Sequence, residues 1–353
     1  MTRFTGSSLS LTVLAVVSIA CGSSRAATVP LESLALGATI YARTCAVCHG
    51  GAGEGYKADR APALSNPDFL ATASDDFLRE AIAEGRTGTT MSAWSARRGG
   101  PLKNDDMDAL LTSIRSWESG ARPALDERPA GGSAARGEKL FAAACEKCHG
   151  AKGVGGPGPH IGDAAYRKNA SDGFLRYAIR KGRRGTEMAG FESPLGDAGV
   201  EDVLAALRAW QASAPAAPEG QAAPLQLGPV PLNPGGPEPA SLRAYPAFTP
   251  ADAIKAELDR GAKLAILDAR APSDYIKEHI AGAVSVPFYD PSPYLSALPK
   301  DAWLVCYCAC PHAESGQLAA KLLASGFKNV AVIDEGIIVW KKRGYPVRSG
   351  REP

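Results

Sequence analysis

Residues 45–49 read Cys-Ala-Val-Cys-His and residues 145–149 read Cys-Glu-Lys-Cys-His, and this doubled run constrains the chain more than any other feature. Two thiols three positions apart on one turn of backbone can add to the two vinyl groups of a single haem, and the next residue sets an imidazole beneath the iron. Cys-x-x-Cys also serves thioredoxin-like redox pairs and half of a zinc site, and a following histidine can be accidental. Duplication inside a matching context favours haem. The sequence therefore predicts two covalently bound haem c groups, attached through Cys45, Cys48, Cys145 and Cys148, with His49 and His149 as iron ligands.

The context repeats with the motif. Cys45 recurs as Cys145, 100 residues on, whereas Pro62, Leu64, Gly85, Met91 and Trp94 recur 97 residues on as Pro159, Ile161, Gly182, Met188 and Phe191. One three-residue deletion after the haem motif accounts for the change. Trp117 recurs as Trp210 at a spacing of 93, so the second copy is shortened again before its last helix. Such self-similarity marks two copies of one domain. Both copies read as helical. Ile40-Tyr41 and Leu140-Phe141 precede the first cysteine by four to five residues, which sets an aromatic on the same helical face. Met107, Leu110, Leu111, Ile114 and Trp117, like Val203, Leu204, Leu207 and Trp210, follow the period of a buried helical stripe, with Asn104 and Asp197 as expected caps.

Both repeats resemble class I cytochromes c over most of residues 31 to 212: Gly-x-x-Ile/Leu-Tyr/Phe, Cys-x-x-Cys-His-Gly, a Pro-x-Leu/Ile step, a Gly-x-x-Gly-Thr-x-Met segment and a final amphipathic helix. The resemblance implies that Met91 and Met188 close the sixth iron position. The chain has four methionines; Met1 is the initiator and Met107 falls on a core stripe, which leaves one per haem, although methionine is also a common gap-filler. Histidine plus methionine raises the reduction potential and leaves no open iron site, so the expected task is passing single electrons between redox partner proteins. His160 is a rival ligand, but the first copy has Ala63 there, so it reads as a local contact or surface histidine.

Residues 1–26 carry Arg3, an apolar run from Leu9 to Ala20 and then small polar residues, the pattern of a secretory signal too short to span a bilayer. Ala20-Cys21-Gly22-Ser23-Ser24 offers a lipid anchor through Cys21 as an alternative to simple cleavage near Ala20 or Ala26. Either way the mature chain is expected in the periplasm or another space outside the cytoplasmic membrane. A net charge of +2 is too small to propose nucleic acid or an anionic membrane as a partner.

From Gln211 to about Tyr245 the chain turns rich in Ala, Pro and Gly and reads as a linker. In a polyproline-like state about 30 residues at about 3.1 Å each would reach some 90 Å, enough to hold domains apart or let them swing. The Arg/Pro/Gly stretch between the two repeats, about Gly120 to Ser133, is short, so those two domains should remain neighbours. Beyond the long linker, Thr249-Pro250 looks like a helix start, and Leu264–Leu267, Val284–Val286, Leu304–Tyr307 and Val330–Ile333 are short apolar runs suited to a buried parallel sheet.

Asp268-Ala269-Arg270, Tyr275, His279-Ile280-Ala281-Gly282-Ala283-Val284-Ser285-Val286-Pro287, a strand ending in cysteine, Glu335-Gly336, Trp340 and Gly344-Tyr345-Pro346-Val347 resemble a rhodanese domain. The resemblance implies a cysteine at a strand end, opening a loop whose amides hold a persulfide or oxyanion. Tyr307-Cys308 matches the strand end, while counting back from Ala319-Ala320 favours Cys310 as the catalytic thiol; Cys306 reads as core. Pro311 would cost a Cys310 nucleophile one amide donor, and with only His312 potentially cationic and Glu314 negative, a dianionic donor would be poorly held. A Cys308/Cys310 disulfide, a soft-metal site with His312 and a sulfur carrier with a resolving thiol all stay open.

The expected organisation is a signal peptide over 1–26, all-α cytochrome c domains over 31–120 and 132–212, a Pro/Ala-rich linker over 213–244, and an α/β rhodanese-like domain with a mainly parallel sheet over 245–348. Two functions follow. In one, the last domain handles sulfur as a cysteine persulfide and the haems carry the electrons released by its oxidation to a respiratory acceptor. In the other, the protein is purely an electron carrier whose rhodanese-like domain binds or docks a partner.

Overall fold

The computed structural model describes residues 31–212, 225, 228–309 and 312–353. The expected signal peptide with Cys21, the first part of the linker, and Cys310 with Pro311 lie outside the described residues. The first repeat folds into helices α1 (Leu31–Thr44), α2 (Ala46–His49), α3 (Pro67–Thr72), α4 (Asp75–Glu84) and α5 (Asn104–Arg115). The second gives α6 (Ala134–Ala144), α7 (Glu146–His149), α8 (Ala164–Asn169), α9 (Asp172–Lys181) and α10 (Glu192–Ala212). Repeated caps start the middle helices: Asn66 and Asp163 accept from the amides of Phe69 and Tyr166, and Ser74 and Ser171 from those of Phe77 and Phe174.

In each copy the helix before the haem motif crosses the last helix at backbone contact. A Cβ on Gly37 would stand 1.9 Å from the Ala109 carbonyl oxygen, and one on Gly137 would stand 1.8 Å from that of Asp202. Beside the crossings, Tyr41 meets Trp117 edge-on at 4.8 Å and Phe141 meets Trp210 at 4.9 Å. The expected caps of the last helices differ. Lys103 occupies the cap of α5, where its amide donates to Asp106, and Asn104 is already helical. Asp197 follows Gly196, whose φ of +62° breaks α10, and it pairs with Arg180 instead.

The C-terminal domain is α/β. Strands β1 (Phe248–Thr249), β2 (Leu264–Asp268), β4 (Ala283–Ser285), β5 (Trp303–Tyr307) and β6 (Val330–Ile333) form a parallel sheet in the order β1-β6-β5-β2-β4, and β3 (His279–Ile280) pairs antiparallel with β7 (Val347–Arg348). Helices α11 (Ala251–Asp259), α12 (Pro272–Lys277), α13 (Ala313–Ala324) and α14 (Gly336–Lys342) complete it. β2 and β6 are buried at every residue, as strands covered on both faces must be. Thr249 does not cap α11; its hydroxyl accepts from the Arg243 amide, while Glu335 accepts from Ala251.

The linker expected over 213–244 is shorter than that. From Gly228 onward the described chain lies against the α/β domain: Asn233 Nδ2 donates to the Gly261 carbonyl at 2.7 Å and the Lys263 amide to that of Pro237 at 2.9 Å. Proline-rich composition marks extended backbone without saying whether a partner surface lies beside it. Glu257, which is 2% exposed, holds the segment down by accepting from the amides of Ala240 and Ser241 at 2.9 and 2.7 Å and from the Ser241 hydroxyl at 2.6 Å.

Burial pushes the Glu257 carboxyl up, but the hydrogen bonds from Ser241, Arg260 and Ala240 outweigh it and hold the pKa at about 2, against an ordinary 4.5. A depressed folded-state pKa stabilises fully above the unfolded value, and the contribution is lost as pH falls toward the folded one. Glu257→Gln should therefore cost about 2 kcal/mol at neutral pH. Thermal unfolding followed by proteolysis of residues 228–244 should show parent and variant converging as pH falls from 4.5 toward about 2.

Candidate functional site

The haem motifs sit on single turns that the crossings hold in place. His49 and Cys48 donate backbone hydrogen bonds to the Cys45 carbonyl, and His149 and Cys148 repeat this on Cys145. All four cysteines are half-buried. His49 and His149 are buried, and each Nδ1 lies 2.9 Å from a carbonyl oxygen, that of Pro62 or Pro159. A carbonyl has no hydrogen to give, so Nδ1 donates and Nε2 keeps its lone pair. Among the described residues nothing is hydrogen-bonded to Nε2 of either ring. Burial also lowers the His49 pKa and keeps that ring neutral, as a metal ligand must be.

The methionine loops match bond for bond. Arg86 donates its amide to the Met91 carbonyl at 3.0 Å and Met91 donates to Thr89 Oγ1 at 3.1 Å; Arg183, Met188 and Thr186 repeat this at 2.8 and 3.1 Å. Gly85 and Gly182, at φ of +67° and +70°, make room, since a Cβ on either would fall within 2.4 Å of the methionine carbonyl. Both methionines are half-buried. Each copy thus presents two thiols, a ring nitrogen with its lone pair available and a thioether, the donor set that haem c requires. Arg86 Nη1 is a buried donor with no protein acceptor, which suits a cofactor bearing carboxylates.

The two helical domains face each other across a pseudo-twofold seam. Phe77 and its repeat counterpart Phe174 lie 5.0 Å apart. Around them Phe69 meets Phe174 at 6.2 Å and Tyr166 meets Phe77 at 5.4 Å, which are equivalent contacts under the repeat. Asn66 Nδ2 donates to the Arg184 carbonyl and, on the other side, the Thr87 amide donates to Asp163. Arg86 stacks over Phe77 and Tyr166, both at 5.1 Å, and Arg183 over Phe174 at 4.9 Å. Asp68 adds an unrepeated ion pair with Arg184. His160, expected to be a local contact or surface residue, packs toward Gly88 of the first copy.

At the end of β5, Cys308 is 1% exposed and its Sγ lies 3.3 Å from Ser315 Oγ. Cys306 is in the core, as expected, and burial pushes its thiol far up. His312 stacks on Phe248 at 3.6 Å and meets Asp334 Oδ1 through Nε2 at 2.9 Å. Glu314 is buried; desolvation, then the nearby Cys308, push its pKa well above the usual carboxylate range. Asp268, Arg270 and Tyr307 form a buried cluster, with Tyr307 donating to Asp268 at 2.6 Å; these landmarks brace the sheet. Among the described residues no group of three or more His, Cys, Asp or Glu is placed to hold a metal ion, and Cys310 lies outside them.

Spacing alone did not reveal that His312 and the start of α13 lie against the first haem motif. A cleft of about 510 Å³ between them is lined by Val47, Lys57, Ala58 and Asp59 on one side and His312 and Ala313 on the other.

Cytochrome c-type helical domains followed by a rhodanese-like α/β domain are what this fold and these sites define, and family models match the chain domain by domain. Residues 34–117 match the cytochrome c model, 132–205 the model of cbb3-type cytochrome c oxidase subunit III, and 250–343 that of the rhodanese-like domain. The chain is 30% identical over 159 residues to the cbb3-type cytochrome c oxidase subunit FixP of Bradyrhizobium diazoefficiens, covering 43% of this chain and 52% of that one. It is 32% identical over 176 residues to FixP of Azorhizobium caulinodans, covering 45% and 54%. Over 82 residues it is 32% identical to a sulfurtransferase of Allochromatium vinosum, covering 23% of this chain and 76% of that one. The chain spans about half the length of the FixP relatives it matches.

Replacing Phe77 or Phe174 by Ala removes the ring at the centre of the seam and should cost about 3–5 kcal/mol. Calorimetry should show the two helical domains melting as one transition in the parent and as two in either variant.

Proposed function

We propose that the protein is a periplasmic dihaem c-type cytochrome that passes single electrons and carries a sulfur-handling domain on the same chain. One haem is attached through Cys45 and Cys48 with His49 and Met91 as ligands, the other through Cys145 and Cys148 with His149 and Met188. The observation that carries this reading is the identical bonding of both copies, from the Nδ1 contacts of His49 and His149 to the turns that present Met91 and Met188. Haem would supply one-electron cycling; the chain orients the imidazoles through Nδ1, presents the thioethers and favours the neutral His49 ring. Relatives named as oxidase subunits support a respiratory redox partner. Among the described residues no helix is long and apolar enough to cross a membrane, and Cys21 would offer a lipid anchor.

In the third domain a thiol, Cys308 or Cys310, takes sulfane sulfur from a donor R–S–SH. The cysteine sulfur bonds to the terminal sulfur, the R–S bond to it breaks, and R–SH leaves, so that Cys–SH and R–S–SH become Cys–S–SH and R–SH. The similarity to a sulfurtransferase supports this. A second reading, a docking module without sulfur chemistry, is favoured by the sealing of Cys308 under Ser315 and by the engagement of His312 with Asp334.

A pyridine haemochrome spectrum of matured protein should count two covalent haems per chain, and Cys45→Ala/Cys48→Ala or Cys145→Ala/Cys148→Ala should each retain one. A colourless parent would overturn the electron-carrier reading. Cyanolysis of persulfide-loaded protein should release thiocyanate, and Cys308→Ser or Cys310→Ser should abolish it. Release from neither the parent nor the variants would leave the docking module.

A further inference from the structure

The first repeat departs from the second just after the methionine. Ser92 stands where the second copy has Ala189, and Trp94 where it has Phe191. Ser92 Oγ donates to Asp274 Oδ2 at 2.6 Å, and Ser273 Oγ donates to the Ala93 carbonyl at 2.6 Å. Trp94, 5% exposed, packs against Tyr289 with ring centres 5.6 Å apart. Residues 92–94 are thereby docked on α12 and on the segment after β4.

Among the described residues the second methionine loop has no such support. Ala189 and Gly190 are exposed, and the Ala189 amide bonds within its own repeat, to Glu187. The deeper anchor is shared, since Trp94 and Phe191 donate their amides to Ile82 and Ile179 at 3.0 and 2.8 Å. The copies therefore share this backbone hydrogen bond and differ in the side chains beside it.

We propose that the rhodanese-like domain clamps the Met91 loop, with Ser92, Ser273 and Asp274 as positioning residues for the sixth ligand of the first haem. The proposal rests on Met91 being that ligand. Displacing residues 92–94 would break two hydrogen bonds and unpack a buried indole. The Met188 loop meets no such resistance. The clamp makes two sites of equal ligand set unequal, and it gives the third domain a mechanical hold on the haem beside it.

The test uses the full haem-loaded chain. Ser92→Ala, which installs the residue the second copy already carries, and Ser92→Ala/Ser273→Ala should weaken the ferric methionine-to-iron charge-transfer band. In a redox titration one of two waves should move to lower potential while the other stays, because loss of methionine ligation lowers the potential. Ser92→Thr, which keeps a hydroxyl, should restore both readouts. If the band and both waves are unchanged in the double variant, or if both waves move together, the clamp is overturned. Met91→Ala separates the two levels. If it leaves the band and both waves intact, the ligand assignment fails and the clamp with it; if it moves one wave to lower potential while the double variant moves none, only the clamp fails.

Discussion

The helix crossing at Gly37 and Gly137 is the contact on which the rest of each helical domain depends. Because a side chain there would collide with a carbonyl of the last helix, the two backbones touch, and the helix that leads into the turn bearing the cysteines and histidine is set directly against the domain's final helix. The methionine loop enters that same last helix. Crossing and aromatic pair recur at matching positions although the segment between has shortened twice, so the deletions fall in loops and leave the helix register intact.

Two such domains pack through one surface used twice. Equivalent residues meet across Phe77 and Phe174, and apart from the Asp68–Arg184 ion pair the off-axis contacts described have their partners on the other side, the arrangement of an isologous dimer joined into one chain. Cations stacked on apolar rings at the centre of a seam are costly to desolvate, and Arg86 and Arg183 have lowered pKa values for that reason. Both carry the first residue of a methionine loop, so the seam and the two proposed sixth ligands share a backbone segment.

Local chemistry was legible in the sequence where spacing alone enforces it. Cys45 to His49 must occupy one turn for haem attachment, and Leu264–Leu267 must be a buried strand because nothing polar interrupts it. Partners remote in sequence were not legible. β1 is two residues long and exists because Phe248 and Thr249 pair with Val332 and Ile333. Residues 228–244 read as linker because proline-rich composition describes backbone stiffness and is silent on the buried carboxylate of Glu257 that receives their amides. The cap of α5 falls on Lys103 because Asp106 reaches back to its amide, so the anchoring group is three residues downstream of where a capping side chain is sought. The Cys310-Pro311 segment lies outside the described residues, and the choice between Cys308 and Cys310 rests with the cyanolysis variants.

A repeat also supplies its own control. Where the copies agree, as at the carbonyl contacts of His49 and His149, the shared feature belongs to what each domain does alone. Where they differ without loss of fold, the difference must answer to something only one copy meets. Ser92 against Ala189 and Trp94 against Phe191 are differences of that kind, and both first-copy residues touch the third domain. The fold by itself would accept alanine and phenylalanine at those positions, since the second copy folds with them. The hydroxyl and the indole are therefore accounted for by the surface they meet, and that surface belongs to the domain whose His312 and Ala313 line the cleft beside the first haem motif.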